Sequence, residues 1–238
     1  MNVSENLAYK TKDHLLRSND EYAQGKYDVT TRWLAPRIRP GQLLLNIGCG
    51  SGEYNATATS MGLNVMACEP ESQAFEIALR SAPAGCDVMP IGLMELVHRA
   101  PPADFIVMHD VLEHLEDDRA AVAALHSLLK RDGVAVMSVP AYQWLFGHHD
   151  VQLGHYRRYT RRSLLALFRS TFEIEAARYY GAAFIPIALW FSRIRKKGYP
   201  VAAAGRGLAH AMMRAVCQAE ARLPMPMGTS VLIRVRKA

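Results

Sequence analysis

Short apolar runs alternate along this chain with segments whose apolar residues recur at helical spacing. Leu43-Leu44-Leu45-Asn46-Ile47 is nearly continuous in apolar residues and stops at glycines. That is the pattern of a strand buried on both faces. Residues 53–61 then predict a helix ended by Gly62, residues 64–68 a second strand, residues 72–81 a second helix and residues 86–90 a weak third strand. Asp104 to His109 (DFIVMH) predicts a fourth strand. Arg119 to Leu129 carries the helical period and runs into Lys130-Arg131-Asp132-Gly133, where the glycine predicts the helix stop. Val134 to Val139 predicts a fifth strand, closed by Pro140. Upstream, residues 5–35 predict one or two helices, followed by a turn over 36–41.

Strand alternating with helix predicts a parallel sheet covered on both faces. Residues 172–180 and 230–236 alternate apolar and polar positions, as in VLIRVRK, and predict two closing strands that are antiparallel or at an edge. The stretch 181–227 between them is too long for a hairpin loop and has helical apolar content, which predicts an inserted helical subdomain. The expected organisation is one domain over 1–238. It has an N-terminal helical cap (1–40), a core (41–180 and 228–238) and a helical insertion or lid (181–227).

Half of the 238 residues are hydrophobic, enough for one well-cored domain. The four cysteines show no metal-like spacing, so no metal is expected, and a reducing, cytoplasmic setting fits them. The first residues lack the apolar core of a secretory signal, and no stretch approaches a membrane span. Charge changes the picture more. Residues 1–150 carry 12 Lys and Arg against 19 Asp and Glu, whereas residues 151–238 carry 16 against 3. A basic C-terminal third suggests an anionic partner such as a phosphorylated substrate, a lipid surface or nucleic acid; a solvated basic face is the alternative.

The strongest chemical signal is Gly48-Cys49-Gly50-Ser51-Gly52, after the first strand and before a helix. Such glycines let a ligand approach the backbone closely. Glu69, at the end of the second strand, can accept hydrogen bonds from two ribose hydroxyls. The dinucleotide fingerprint would need glycine where Glu53 stands, and a phosphate-binding loop would need Gly-Lys-Ser/Thr. Glu53 would also repel a pyrophosphate. A nucleoside ligand without phosphates therefore suits this loop better than NAD.

Four segments together carry a family resemblance: LLLNIGCGSGEY, VMACEPES, ADFIVMHDVLEHLEDD and LLKRDGVAVMSVP. In order and spacing they resemble the motifs of class I S-adenosylmethionine-dependent methyltransferases. The resemblance implies a Rossmann-like, doubly wound α/β sheet of seven strands, mostly parallel with the last antiparallel. It implies S-adenosylmethionine as cofactor and S-adenosylhomocysteine as product. Gly48, Gly50 and Gly52 would pass under the methionine portion, Glu69 would hold the ribose, and Gly92 and Leu93 would flank the adenine. His109 and Val111 would line the sulfonium region. Tyr22 and Tyr27 would close over the cofactor. Two positions depart from the pattern: Asn46 stands where an acid is usual, and no acid sits beside Gly92.

The segment Pro140 to Thr160, PAYQWLFGHHDVQLGHYRRYT, leaves a strand end where open α/β sheets bind ligands. It resembles a subset of bacterial methyltransferases associated with glycan, lipid or secondary-metabolite pathways. Transfer to a hydroxyl or amine requires removal of a proton, which a near-neutral imidazole can do. His149, Asp150 and His155 are thus candidates for base or acceptor positioning. A carboxylate acceptor would need no base, and His155 and Arg158 could equally tie the loop down. His114 reads as structural, and Thr160 as a helix cap.

Gly181 to Phe191 is apolar and Arg193 to Lys197 strongly basic. That suits a membrane interface, a lid over a greasy or lipid-linked acceptor, or a dimer contact. Packing of this helix on the sheet is the simpler alternative. The sequence thus predicts a methyltransferase for a small-molecule acceptor, acting on a hydroxyl or carboxyl, as a monomer or homodimer with possible peripheral membrane contact. A nucleic-acid-directed enzyme using the basic third is the competing reading, though no RNA-binding motif is present.

Overall fold

The computed structural model describes residues 20–195 and 207–238. Residues 5–19 of the expected N-terminal helices and residues 196–206 of the expected helical insertion, Lys196 and Lys197 of the basic run among them, lie outside the described residues.

Seven strands form one sheet in the order β3-β2-β1-β4-β5-β7-β6. They are β1 (Leu43–Ile47), β2 (Asn64–Cys68), β3 (Cys86–Met89), β4 (Ala103–His109), β5 (Leu129–Pro140), β6 (Glu173–Tyr180) and β7 (Ser230–Arg236). Parallel pairing joins β1 to β2 and β4, β2 to β3, and β4 to β5. β7 runs antiparallel between β5 and β6. Of the two closing strands, then, β7 is the reversed one and β6 the edge. The order changes direction between β1 and β4, the place where open α/β sheets form a ligand crevice.

Nine α-helices are described: α1 (Glu21–Leu34), α2 (Glu53–Ser60), α3 (Ser72–Arg80), α4 (Leu93–Leu96), α5 (Asp118–Leu128), α6 (His148–Leu153), α7 (Arg161–Phe168), α8 (Ile185–Leu189) and α9 (Leu208–Arg222). Their starts follow from side-chain caps. Asp20, Glu71, Asp117 and Thr160 each accept a backbone N–H from the first turn of the helix that follows.

Successive strand residues feed opposite layers, as a period of two requires. Leu45, Ile106, Met108 and Met137 pack with Leu125 of α5 and Phe168 of α7. Leu44, Phe105, Val107 and Val136 pack with Leu34 of α1 and Ala58 of α2. Fully burying each such side chain contributes roughly 1.5–3 kcal/mol.

One expected boundary is corrected. The helix ends at Leu128, and Gly133 is not its stop, because residues 129–133 are already part of β5. The left-handed residue is Asp132, with φ 61°. Gly133 is needed for a different reason: a Cβ there would lie 2.8 Å from the Lys130 carbonyl oxygen.

The segment after β6 is fastened to the sheet by its polar groups. Glu220 of α9 accepts the backbone N–H groups of Gly181, Ala182 and Ala183 at 2.7, 2.8 and 2.8 Å. Arg178 of β6 donates to the carbonyls of Glu220, Ala221 and Leu223, and Arg32 of α1 also donates to Ala221. These guanidinium groups satisfy carbonyls that the end of a helix leaves open, at its negative pole. No helix among the described residues is long and apolar enough to cross a membrane.

Candidate active site

The glycine turn lies at the C-terminal edge of β1. Gly48, Gly50 and Gly52 all have left-handed backbones, with φ of 64°, 57° and 87°. Gly48 tolerates no side chain, since a Cβ would come within 2.3 Å of Val111 Cγ2. Val111 therefore packs down onto the loop from the end of β4. The Gly50 N–H donates to Glu69 Oε2 at 2.9 Å, and the Glu71 N–H to Glu69 Oε1 at 3.0 Å. Two backbone donors thus aim a buried carboxylate across the mouth of the turn.

An ionised carboxylate has about four acceptor positions, so this one retains capacity for a diol. Gly92 opens the next wall: a Cβ there would meet nothing within 4 Å. Leu93 beside it is buried. An acceptor-only carboxylate, a side-chain-free turn and an open glycine wall suit a ribose and a flat base. Asn46 is buried and donates to Asn55 Oδ1 at 2.7 Å, so it braces the start of α2.

His109, at the end of β4, is buried among rings. Tyr27 and Tyr54 have their centroids 5.3 and 6.0 Å from it. Its Nε2 lies 3.1 Å from Thr30 Oγ1, and its Nδ1 3.0 Å from Ser138 Oγ. Ser138 donates to Asp110 Oδ1 at 2.9 Å, and Lys26 pairs with the other Asp110 oxygen. Burial, helped by the Lys26 charge, pushes the His109 pKa down to about 3. The ring is therefore neutral, with one N–H. A serine proton held by an ionised carboxylate is the stronger bond. His109 then donates from Nδ1 to Ser138, and its Nε2 faces the Thr30 hydroxyl, which also donates to the Lys26 carbonyl at 3.1 Å.

Tyr22 lies farther round the sheet edge. Its hydroxyl is bonded to Thr229 and Ser230 at 2.7 and 2.8 Å, and its ring contacts Tyr180 and Phe184. Tyr27 is the tyrosine that stands beside His109.

The segment after β5 builds a second cluster. Asp150 is fully buried at the start of α6. It takes a two-pronged contact from Arg158, at 2.7 and 2.8 Å, and the Gly147 N–H at 2.9 Å. Its ring partner is His155, whose Nδ1 is 2.8 Å from Oδ1. Burial pushes the Asp150 carboxyl up, but the hydrogen bonds from His155 and Arg158 outweigh it and hold it below the usual carboxylate range. An ionised carboxylate only accepts, so His155 donates to it from Nδ1. The Nε2 of the same ring is 4.0 Å from Glu113 Oε1, too far for a hydrogen bond. His149 faces His155 with ring centroids 6.4 Å apart.

The fold therefore joins Asp150 to His155, with His149 at one side. Glu113, His114 and His155 also bring one ligating atom each to within 4.8 Å of one another. A groove of about 630 Å³ lies between α5 and α7; it touches the loop at Arg157–Tyr159 and includes none of the glycine-turn residues.

Sequence reasoning missed Lys26, Thr30, Asp110, Ser138 and Glu113. A signal did exist for the first two, since Tyr22, Lys26 and Thr30 recur every four residues on one face of α1. Asp110 gave none: its left-handed backbone, φ 54°, is visible only in three dimensions.

Strand order, glycine turn and the buried carboxylate at the end of β2 together define an open α/β fold with a crevice at its strand ends. The chain belongs to the class I S-adenosylmethionine-dependent methyltransferases: a family profile described as "Methyltransferase domain" matches residues 19–174. It is 28% identical over 173 residues to "Ubiquinone biosynthesis O-methyltransferase" of Paraburkholderia xenovorans (strain LB400), covering 64% of this chain and 72% of the relative. Its fold is similar to the N-methyltransferase NodS from Bradyrhizobium japonicum WM9 in complex with S-adenosylhomocysteine. That likeness has a TM-score of 0.59 at 13% identity and covers 91% of this chain and 87% of the other. It is also similar to an S-adenosylmethionine-dependent methyltransferase from Mesorhizobium loti, with TM-score 0.59 at 17% identity over 88% of this chain and 98% of the other. The protein is a methyltransferase and S-adenosylmethionine is its cofactor.

Proposed function

We propose that the protein methylates oxygen on a small-molecule acceptor, with His155 as the base. The observation that carries this is the Asp150–His155 pair, in which a buried carboxylate fixes the orientation of an imidazole at the loop beyond β5. The O-methyltransferase relatives point the same way. In this reading Gly48, Gly50 and Gly52 form the floor of the cofactor site, Glu69 holds the ribose, and Gly92 and Leu93 bound the adenine. His109 and Val111 flank the reacting methyl, Asn46 stiffens the turn, and Tyr22 helps fix α1 as a cover.

When bound, the cofactor supplies a sulfonium methyl that departs to a nucleophile, leaving a thioether. Asp150 holds the imidazole in one tautomer and one orientation. His155 Nε2 would take the proton of the acceptor hydroxyl. His149 borders the acceptor. His109, neutral and hydrogen-bonded at both nitrogens, shapes the site without exchanging a proton.

The test supplies methyl-deuterated cofactor with a panel of phenols, aliphatic alcohols, carboxylates and amines. Mass spectrometry of the products should find the label on oxygen. Label found only on nitrogen or carbon, or no transfer by a protein that binds the cofactor, would defeat the oxygen reading.

A further inference from the structure

We propose that the outer face of α9 docks the protein onto a bilayer that carries anionic lipid. The helix is gripped from one side. Cys217, Glu220 and Ala221 are buried, and His210 and Arg214 reach Glu21 of α1 at 3.1 and 3.3 Å. Among the described residues the opposite side is apolar and open. Leu208, Met212, Ala215, Val216, Ala219 and Leu223 are all exposed and recur at three- and four-residue steps, which makes them one stripe. Leu208 is 79% exposed and Met212 60%. A surface helix ordinarily turns such a stripe inward. A contiguous apolar surface left outside marks a binding face. Ile187 and Trp190, earlier in the same insertion, are half exposed as well. Tryptophan favours the headgroup level of a membrane.

Charge selects the occupant. Residues 181–227 contain seven Lys and Arg and one acid, Glu220, which is turned inward onto backbone N–H groups. Arg222 of α9 is exposed beside the stripe. A second copy seated on the same stripe would bring like charges together. A nucleic acid would meet the arginines and leave the apolar stripe in water. An anionic leaflet satisfies both features, with acyl chains receiving the stripe and headgroups the guanidinium groups. The proposal is independent of which atom is methylated.

The test is flotation of the full-length protein with phosphatidylglycerol-containing vesicles, against vesicles of phosphatidylcholine alone. The protein should float with the first, less so at high salt, and little with the second. The triple variant Met212→Glu, Val216→Glu, Leu223→Glu should lower the bound fraction about tenfold or more, since burying charge in acyl chains is unfavourable. Its cofactor affinity and thermal midpoint should stay unchanged. Should that variant fold poorly, the serine versions of the same three positions should shift binding in the same direction. Absence of flotation, or flotation indifferent to these substitutions, overturns the proposal. So does a dimer that the substitutions split, or RNA capture, without vesicle binding.

Discussion

His109 and His155 are two imidazoles at the same edge of one sheet, and both donate from Nδ1. They differ at the other nitrogen. Thr30 caps Nε2 of His109, and burial keeps that ring neutral. In His155 an ionised carboxylate occupies Nδ1, and Nε2 faces the buried Glu113 carboxylate at 4.0 Å. The comparison teaches that two buried imidazoles can be held in opposite ways, the first between two hydroxyl groups and the second between the Asp150 and Glu113 carboxylates. Their supports differ too. A hydroxyl network holds the first; an ion pair with Arg158 holds the second.

The comparison is open to direct attack. His155→Gln should lower kcat by about 10²–10⁴-fold, the usual worth of a general base. Its cofactor Kd by titration calorimetry should be unchanged, and His109→Asn should lose much less. Equal losses in kcat would erase the distinction. Asp150→Asn leaves Arg158 buried against a neutral partner and should cost about 3–5 kcal/mol in denaturant unfolding. Thr30→Ala should cost only about 1 kcal/mol.

Glu69→Ala removes a charged acceptor away from both rings. It should raise the Kd for S-adenosylmethionine roughly tenfold or more, with the melting curve preserved. An unchanged Kd would take Glu69 out of the ribose role.

A further expected effect is in pH dependence. Folding lowers the His109 pKa from 6.5 to about 3, so the unfolded chain binds that proton first. Stability is then complete above the unfolded value and falls as pH drops from 6.5 towards 3. Asp150 is also depressed, so its contribution is present above its unfolded value of about 3.9 and is lost only in stronger acid. His109→Asn should flatten the first decline and leave the second. A decline unaltered in that variant would mean other groups cause it.

The core was readable because its signals are local. Apolar runs at residues 43–47, 64–68 and 103–109 mark strands whatever surrounds them, and glycines between strand and helix mark a turn. The helix stop misread at Gly133 shows the limit. Glycine there serves a close approach to a carbonyl, which looks the same in sequence as a left-handed cap. The insertion was readable as helical, but its orientation was not.

The sequence by itself determined the order of strands and helices, the position of the glycine turn and the loop that bears the histidines, because periodicity and turn chemistry act over a few residues. Only the tertiary structure decided partners. Asp150 meets His155 and Arg158 because α6 ends at Leu153 and the chain folds back through Gly154. Lys26 meets Asp110 because α1 lies over the end of β4. And α9 turns its apolar stripe outward because Glu220, Arg178 and Arg32 grip its other end and side. A repeat along a helix fixes that a stripe exists, while the neighbours in space choose which way it faces.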